Sequence, residues 1–402
     1  MIAIERPKLR SGLVVDTDPA DPGCVLLTDP YRIAPSPQRL THRELSWVRL
    51  FDGQRTLRDV QYDAIRQARG ELLPIELFAD LARRLDEHLF LEGPAFRQVA
   101  DHPIRPPSCL GCYPEEPEEL RQYLEAMLGR PAESARGGCG PGRLRAALVP
   151  HIDYRRGRDT YHHAYQYVAD HAGVGLYVII GTAHYSAHRF TLTRKHFQTP
   201  LGVVPTDEAF IDRLVSHYGP GLFDDELAHL PEHSIELEVV ILQYLHGPAR
   251  PFRIVPLIVG SFHDCIQQCV PPREMPDIAR MIDALRRAEA ATAEPVCYLI
   301  SGDMAHIGPK FGDPEPVDRR DLDRCRHQDQ NLLQWAAAGN TTEYFRLLMD
   351  ERDRRRICGF PPTYTLLEAI GPARGQVVHY NQYVHSRGFE CVSFAAVSFD
   401  RD

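Results

Sequence analysis

Residues 145–154 read Arg-Ala-Ala-Leu-Val-Pro-His-Ile-Asp-Tyr, an apolar run that leads into a histidine and a carboxylate. The arrangement recurs twice: the run 176–180 (LYVII) is followed by His184, and the run 296–300 (VCYLI) is followed by Asp303. Short apolar runs bounded by glycine or proline are typical of buried strands. The three stretches therefore predict buried strands that carry polar residues where they end.

Helical stretches alternate with these runs and with a further apolar run at 252–259. They cover about 158–171, 207–218, 234–245 and 275–291. Alternating strands and helices predict an α/β fold, with a central mixed or parallel sheet flanked by helices on both faces. A last run, 390–398, alternates in hydropathy as an edge strand does.

The chain is predicted to fall into three parts. Residues 1–95 form a small winged-helix-like module, 96–143 form a linker and opening segment, and 144–402 form the α/β domain. Within the module, Thr56 is a predicted helix N-cap. Leucines every four residues predict one helix face: Leu77, Leu81, Leu85 and Leu89. The linker is rich in proline and contains a glycine cluster at 137–142.

The composition excludes several classes of protein. The 402 residues include 46 Lys and Arg against 55 Asp and Glu, a formal net charge of −9. A nucleic-acid binder or a protein of anionic membranes would carry a basic surface, so neither partner is expected. A hydrophobic content of 43% with 25% charged residues indicates a globular chain.

The cysteines and histidines suggest where the protein works and what it binds. The sequence shows neither a signal-peptide pattern nor an apolar run of about 18 residues, so a reduced cytoplasmic location is expected. The 10 Cys are scattered, and together with 19 His they are available as metal ligands.

In open α/β sheets, ligands bind outside the carboxyl ends of the strands. Imidazole is the commonest metal ligand in proteins, so His151 and His184 are a candidate pair. The third ligand is open among Asp303, His306 and a thiolate. Two histidines and one carboxylate would form a facial triad with free positions for substrate and O₂.

Residues 231–236 (PEHSIE) have two interpretations. Glu232 and Ser234 suit the start of a helix, where they would cap it. Alternatively, His233 points into the site, where a neutral imidazole is a natural acid or base.

Two cysteine motifs stand out. Cys358 follows three arginines (354–356) that would favour a thiolate, and the alternative is a buried inert cysteine. Cys109 and Cys112 form a CxxC motif without a second such pair. A zinc ribbon is therefore not expected, and redox pairing stays open.

A set of ordered motifs carries a family resemblance. They read LVPHIDY, VIIGTAHYSAHRFTLTRKHFQTPLGVVPTD, EHSIELEVVILQYL, FRIVPLIVGSF, LISGDMAHIGPKF and RRICGFPPTYTLL, after an opening CLGCYPEEPEELRQYLEAML. Over roughly residues 102–402 the chain resembles the Memo family. Bacterial members of that family accompany AMMECR1-like and radical-SAM proteins, so such proteins are expected partners.

The resemblance implies a fold related to the class III extradiol dioxygenases, which are non-haem iron enzymes. It implies metal ligands at His151, His184 and Cys358, with Fe(II) or Cu as the cofactor and Zn as a third option. It also implies pocket residues that would handle protons: His233, Asp303 and His306.

Three further residues are expected to contact a small-molecule or peptide substrate: Asp153, Tyr154 and Tyr185. The better-known eukaryotic pattern has glycine at the position of Asp153. An additional carboxylate beside His151 would add a ligand or alter the metal preference.

A second, weaker resemblance concerns the N-terminal module. The pattern WVRLFDGQRTLRDV followed by LARRLDEHLFLEG looks like a PqqD-type winged-helix domain, which recognises peptides in peptide-modifying systems.

Three functions are compatible with these residues. The leading hypothesis is a metal-dependent oxidoreductase. The second is a non-catalytic adaptor that binds a peptide or a partner protein. The third is metal-assisted hydrolysis, which a thiolate ligand disfavours because catalytic zinc hydrolases more often use His and carboxylate.

Overall fold

The computed structural model describes residues 4–34, 36–130, 143–371 and 373–401. The chain divides into two compact units, Met1–Pro103 and Ile104–Asp402. The first unit thus extends beyond residue 95, because it includes the helix Pro94–Ala100, which contacts the helix before it. Residues 131–142 of the predicted linker, with their glycine cluster, lie outside the described residues.

The first unit combines a small antiparallel sheet with helices. Its strands, in sheet order β1-β2-β3, are β1 (Val14–Thr17), β2 (Cys24–Thr28) and β3 (Gln38–Thr41). The helices that follow are α1 (His42–Val48), α2 (Leu57–Gln67), α3 (Ile75–Glu87) and α4 (Pro94–Ala100). The unit has its own apolar core, and a winged-helix fold is not confirmed.

Thr56 caps α2 as predicted, but the leucine face of α3 differs from the prediction. Leu77 is 45% exposed, and Leu89 lies beyond the helix with a positive φ. The buried face instead includes Phe78, Leu81 and Leu85. Four residues exceed one helical turn of 3.6, so a strict four-residue repeat drifts around the helix and leaves the core.

The larger unit alternates strands and helices, and the four predicted core strands are confirmed. Its strands are β4 (Ile104–Arg105), β5 (Leu144–Val149), β6 (Leu176–Thr182), β7 (Phe190–Leu192), β8 (His196–Thr199), β9 (Gly202–Val204), β10 (Arg253–Val259), β11 (Val296–Ser301), β12 (His306–Ile307), β13 (Gly375–Val384) and β14 (Cys391–Asp400). Its helices are α5 (Pro117–Leu128), α6 (Tyr154–His171), α7 (Glu208–Tyr218), α8 (Glu236–His246), α9 (His263–Gln268), α10 (Pro276–Ala290), α11 (Arg319–Ala337), α12 (Thr341–Asp350) and α13 (Phe360–Ile370).

The central sheet is mixed, with the order β12-β14-β5-β11-β6-β10-β7 and with β13 paired to β14. Strands β5, β11, β6 and β10 run parallel, whereas β14 and β7 are antiparallel to their neighbours. Ser301 of β11 lies opposite Val149 of β5 on one side and Gly181 of β6 on the other. The carboxyl ends of these three strands are therefore level, which brings the residues after them together.

Helices cover both faces of this sheet. Along β6, Val178 and Ile180 belong to one apolar core, whereas Tyr177 and Ile179 belong to the other. Helices α7, α10 and α13 contribute to the first core, and α5, α6 and α8 contribute to the second. Because both faces are covered, successive residues of a strand are all buried, which explains the continuous apolar runs. Each fully buried aliphatic side chain stabilises the fold by about 1.5–3 kcal/mol.

The prediction of an edge strand at 390–398 is wrong. Strand β14 is buried along nearly its whole length, and it pairs with β13 on one side and with β5 and β12 on the other. One of its polar side chains is held inside the protein: the Ser393 hydroxyl donates to Asp329 at 2.6 Å. Buried serines therefore give β14 the alternating hydropathy that is typical of an edge strand.

Among the described residues, no helix combines the length and the apolar content needed to cross a bilayer.

Candidate metal centre

Three histidines meet at the level ends of the central strands. His151 follows β5, His184 follows β6, and His233 lies just before α8. The His151 ring lies 5.1 Å from the His184 ring and 5.4 Å from the His233 ring, and the last two rings stack at 4.7 Å, centroid to centroid. One nitrogen of each residue lies within 4.8 Å of the others. This spacing allows all three to reach one ion.

The buried His151 is oriented by its neighbours on β11 and beyond. Its Nδ1 lies 3.2 Å from the Ser301 carbonyl oxygen, and its backbone N–H donates to Asp303 at 3.1 Å. A carbonyl oxygen only accepts, so Nδ1 carries the proton and Nε2 keeps its lone pair. Nε2 lies 3.3 Å from Sγ of Cys358.

His184 is oriented by the buried carboxylate of Glu232. Its Nδ1 donates to Glu232 at 2.9 Å, and its backbone N–H donates to the same carboxylate at 2.7 Å. Burial by itself lowers the pKa of His184, but the Glu232 charge, followed by the hydrogen bond with Cys358, outweighs it and holds the pKa well above its usual value. Burial would raise the pKa of Glu232, whereas His184 holds it well below the usual range.

His233 points into the cluster, and the capping interpretation of 231–236 is wrong. Helix α8 begins at Glu236 after Ile235 and has no side-chain cap. The Ser234 hydroxyl donates instead to the Thr182 carbonyl at 2.9 Å. Burial lowers the pKa of His233 to about 4, so its imidazole is neutral at physiological pH and able to bind a metal.

A close approach of two loops places Cys358 beside His151. A Cβ added to Gly302 would lie 2.6 Å from the Cα of Gly359, and one added to Gly359 would lie 2.7 Å from the Asp303 carbonyl oxygen. Only glycine fits where two backbones come this close. The Gly302 and Gly359 positions therefore bring the loop after β11 against the loop before α13.

The arginines before Cys358 do not act on its thiol as expected. Arg355 forms ion pairs with Asp329 and Glu351, and Arg356 pairs with Asp313 at 2.6 Å. Burial raises the pKa of the Cys358 thiol, and contact with His184 offsets this only in part. The prediction that these arginines favour a thiolate is wrong.

Asp303 and His306 border the same cluster. The Asp303 carboxylate lies 3.8 Å from Nε2 of His151, and burial raises its pKa to about 7. Nδ1 of His306 lies 3.1 Å from the carbonyl oxygens of Met304 and Arg356. Burial is the main cause that lowers the pKa of His306 to about 4. Because its pKa lies at about 7, Asp303 can exchange a proton near neutral pH.

The predicted substrate residues have different surroundings. Asp153 caps α6, because its carboxylate accepts the Arg155 backbone N–H at 2.8 Å. Tyr154 is completely buried, and its hydroxyl donates to the Leu237 carbonyl. A contact between Tyr154 and substrate stays a prediction. Tyr185 is half-buried beside His184, with ring centroids 6.4 Å apart.

Several residues that support the site were not predicted. Behind His151, the Ser301 hydroxyl donates to the buried Glu238 carboxyl at 3.0 Å. The guanidinium of Arg105 donates to the Glu232 carbonyl at 2.5 Å. In the sequence, Glu238 and Arg105 are recognisable as charged residues among apolar residues or prolines. That pattern does not indicate which residue each of them contacts.

The donor set fits a transition-metal ion. Three imidazole nitrogens and one sulfur converge, and the second nitrogens of His151 and His184 are held by acceptors, as is usual for metal-bound histidines. Imidazole with thiolate suits Cu, Fe and Zn.

Comparison with known proteins identifies the family of this chain. A family model described as Memo-like protein matches residues 105–398, which include every histidine of the cluster and Cys358. The chain belongs to the Memo family. The match begins at residue 105, close to the boundary between the two units.

Relatives in the Memo family are distant but cover most of the chain. A MEMO1 family protein of Aquifex aeolicus is 28% identical over 387 residues, covering 93% of this chain and 95% of the relative. One from Methanopyrus kandleri is 27% identical over 72% of this chain and 96% of its own length. One from Thermus thermophilus is 26% identical over 85% of this chain and 97% of its own length. The Aquifex alignment extends beyond the residues matched by the family model.

Proposed function

We propose that this Memo-family protein binds one Fe(II) or Cu ion at His151, His184 and Cys358 and acts as a metal-dependent oxidoreductase. The observation that carries the proposal is the convergence of imidazole nitrogens within 4.8 Å, with the Cys358 sulfur 3.3 Å from Nε2 of His151. Between the candidate third ligands, Cys358 lies nearer to that nitrogen than the carboxylate of Asp303, which is 3.8 Å away.

The surrounding residues define what the protein contributes. Glu232 accepts a hydrogen bond from Nδ1–H of His184 and so directs Nε2 of that ring towards the cluster. The Ser301 carbonyl does the same for His151. A bound ion requires a deprotonated thiol and neutral imidazoles, so ion binding would release the protons that Cys358 and His184 hold in the metal-free protein.

Three groups beside these ligands would serve the reaction. His233 is neutral at physiological pH and can accept a proton from a substrate, and Asp303, with a pKa of about 7, can accept or return one. His306 is neutral at physiological pH and borders the same cluster. An Fe(II) or Cu ion held by His151, His184 and Cys358 would supply redox chemistry between a substrate and O₂.

The test is metal content after anaerobic purification, followed by O₂ uptake with candidate substrates. Wild type should contain close to one ion per chain, and His184→Ala and Cys358→Ala should lose it. His163→Ala, an exposed histidine on α6, is the matched control and should retain the metal. Full metal content in His184→Ala or Cys358→Ala would refute the ligand assignment. Stoichiometric zinc without O₂ uptake would refute the oxidoreductase proposal and leave metal binding intact.

A non-catalytic adaptor is the second candidate, because the first unit is compact and has its own apolar core. In that case, the unit would recruit a peptide or a partner protein. AMMECR1-like and radical-SAM proteins are the partners that the family resemblance suggests. Retention of such proteins on immobilised full-length chain, at equal strength in wild type and His184→Ala, would favour the adaptor.

A further inference from the structure

A disulfide joins Cys109 and Cys112 in the opening segment of the larger unit. Both cysteines are half-buried, and the residues between them, Leu110 and Gly111, are exposed. The turn that the disulfide closes therefore lies at the surface of the larger unit.

The loop around this disulfide surrounds a buried carboxylate. Glu236 accepts the backbone N–H of Ser108 at 2.8 Å, the Ser108 hydroxyl at 2.8 Å and the backbone N–H of Cys109 at 3.0 Å. The hydroxyl of Tyr113 also donates to it, and Arg105 pairs with it at 2.5 Å. Of the four residues that supply these donors, three are disulfide-bonded or directly adjacent to a disulfide-bonded residue: Ser108, Cys109 and Tyr113.

The same contacts extend to the segment 229–236, which carries Glu232 and His233. Besides pairing with Glu236, Arg105 donates to the His229 carbonyl at 2.6 Å and to the Glu232 carbonyl at 2.5 Å. The conformation of the segment 229–236 thus depends on donors supplied by residues 105–113.

We propose that Cys109–Cys112 is a redox-active site for dithiols, and that its opening loosens the segment 229–236. A thiolate of the dithiol attacks one sulfur of the pair, breaks the S–S bond and forms a mixed disulfide with the protein. The second thiol of the dithiol then attacks the mixed disulfide and releases the protein sulfur. Two S–H bonds form on Cys109 and Cys112, and the dithiol becomes a disulfide. Two electrons and two protons pass to the protein.

The expected effect follows from the position of the disulfide between the donors to Glu236. With the S–S bond closed, the backbone N–H of Cys109 and the hydroxyl of Tyr113 are held at a fixed separation. With it open, the turn keeps the hydrogen bond from the Cys112 N–H to the Cys109 carbonyl, at 2.9 Å, and the backbone bridge between Leu110 and Tyr113. The inference does not rest on metal binding, because every contact that carries it is made within the protein.

The test measures hydrogen exchange in the metal-free full chain, with a chelator present, after equilibration in dithiothreitol buffers of defined redox ratio. Alkylation and mass spectrometry report the fraction of Cys109–Cys112 that is open. Opening should speed amide exchange at 232–237 at least tenfold, leave β6 unchanged, and lower the Tm by about 2–5 °C.

Two variants complete the experiment. Cys109→Ser/Cys112→Ser should exchange like the reduced wild type under all conditions. Cys269→Ser, which replaces an exposed free cysteine, should behave like the wild type. A pair that dithiols cannot open, or a pair that opens without faster exchange at 232–237, would overturn the proposal. If the double variant does not fold, the oxidised and reduced wild type still decide.

Discussion

Glu236 and Glu238 lie two residues apart in the first turn of α8, and both side chains are fully buried, yet their surroundings favour opposite charge states. Burial would raise the pKa of Glu236, but Arg105 and several hydrogen-bond donors hold it below the usual value. Glu238 accepts from the hydroxyls of Tyr165 and Ser301, and burial raises its pKa to about 8.

The difference teaches what each carboxyl does for the site. A buried charge persists only when a cation and hydrogen bonds replace its lost hydration, so Glu236 is ionised and anchors residues 105–113. Within the part of the chain that the structure describes, no cation pairs with Glu238, and this carboxyl stays protonated at neutral pH. It forms part of the uncharged wall behind His151.

The largest expected effect comes from removing the cation. Arg105→Met should lower the free energy of unfolding by about 3–5 kcal/mol, because it leaves Glu236 buried and unpaired. Urea unfolding of the full chain measures the loss. The double variant Arg105→Met/Glu236→Gln should recover part of it. Arg346→Met, which breaks an exposed ion pair with Asp350 on α12, is the control and should cost at most about 1 kcal/mol. Equal losses for both arginines would contradict the comparison.

The pH dependence of stability should have opposite signs for the two glutamates. Between roughly pH 5 and pH 8, folded Glu238 keeps a proton that the unfolded chain has lost, so wild type should lose stability as pH rises. Relative to Glu238→Gln, the loss should be about 1 kcal/mol per pH unit. The measurement is urea unfolding across this range.

For Glu236 the folded pKa is depressed, so its contribution is present above the unfolded value of 4.5 and disappears as pH falls. The advantage of wild type over Glu236→Gln should therefore shrink on acidification. The same pH slope for both variants would refute the assigned charge states.

A third buried glutamate extends the comparison to the proposed ligands. Glu232→Gln should weaken metal binding about 10–100-fold, because it removes the carboxylate that orients Nδ1 of His184. Titration with Co²⁺ or Cu²⁺ followed by absorbance measures the affinity. Glu238→Gln is the matched control at neutral pH, where it replaces one uncharged group with another, and its affinity should stay close to that of wild type.

The smallest effect is expected at a carboxylate that is only half-buried. Asp153→Ala should lower stability by about 0.5–2 kcal/mol, because it removes the cap of α6. Asp153→Asn keeps an oxygen acceptor and should change stability little. A loss of activity in Asp153→Asn without a loss of stability would instead give this residue a role in substrate binding.

The sequence predicted the parts of the site that follow directly from strand ends. His151, His184 and Asp303 come immediately after buried apolar runs, and parallel strands bring such residues to one edge. The position of Cys358 came from the family resemblance alone, since the arginines before it pair with acidic residues elsewhere.

The supporting contacts could not be predicted because they join distant residues. Arg105 and Glu236 are separated by 131 positions, and neither belongs to a periodic pattern. Likewise, the edge of β14 that faces away from β5 is covered by β13, whose sequence gave no prediction of pairing. Local periodicity reports burial, but it does not report which polar groups satisfy each other.

The contact between Cys358 and His151 joins residues 207 positions apart. Closing so long a loop is slow and entropically costly, so these two groups meet only after the strands between them have assembled. An unfolded or half-folded chain offers scattered, weak donors in place of a pocket. An ion would therefore bind here at the final stage of folding, and only in chains whose strands have already assembled.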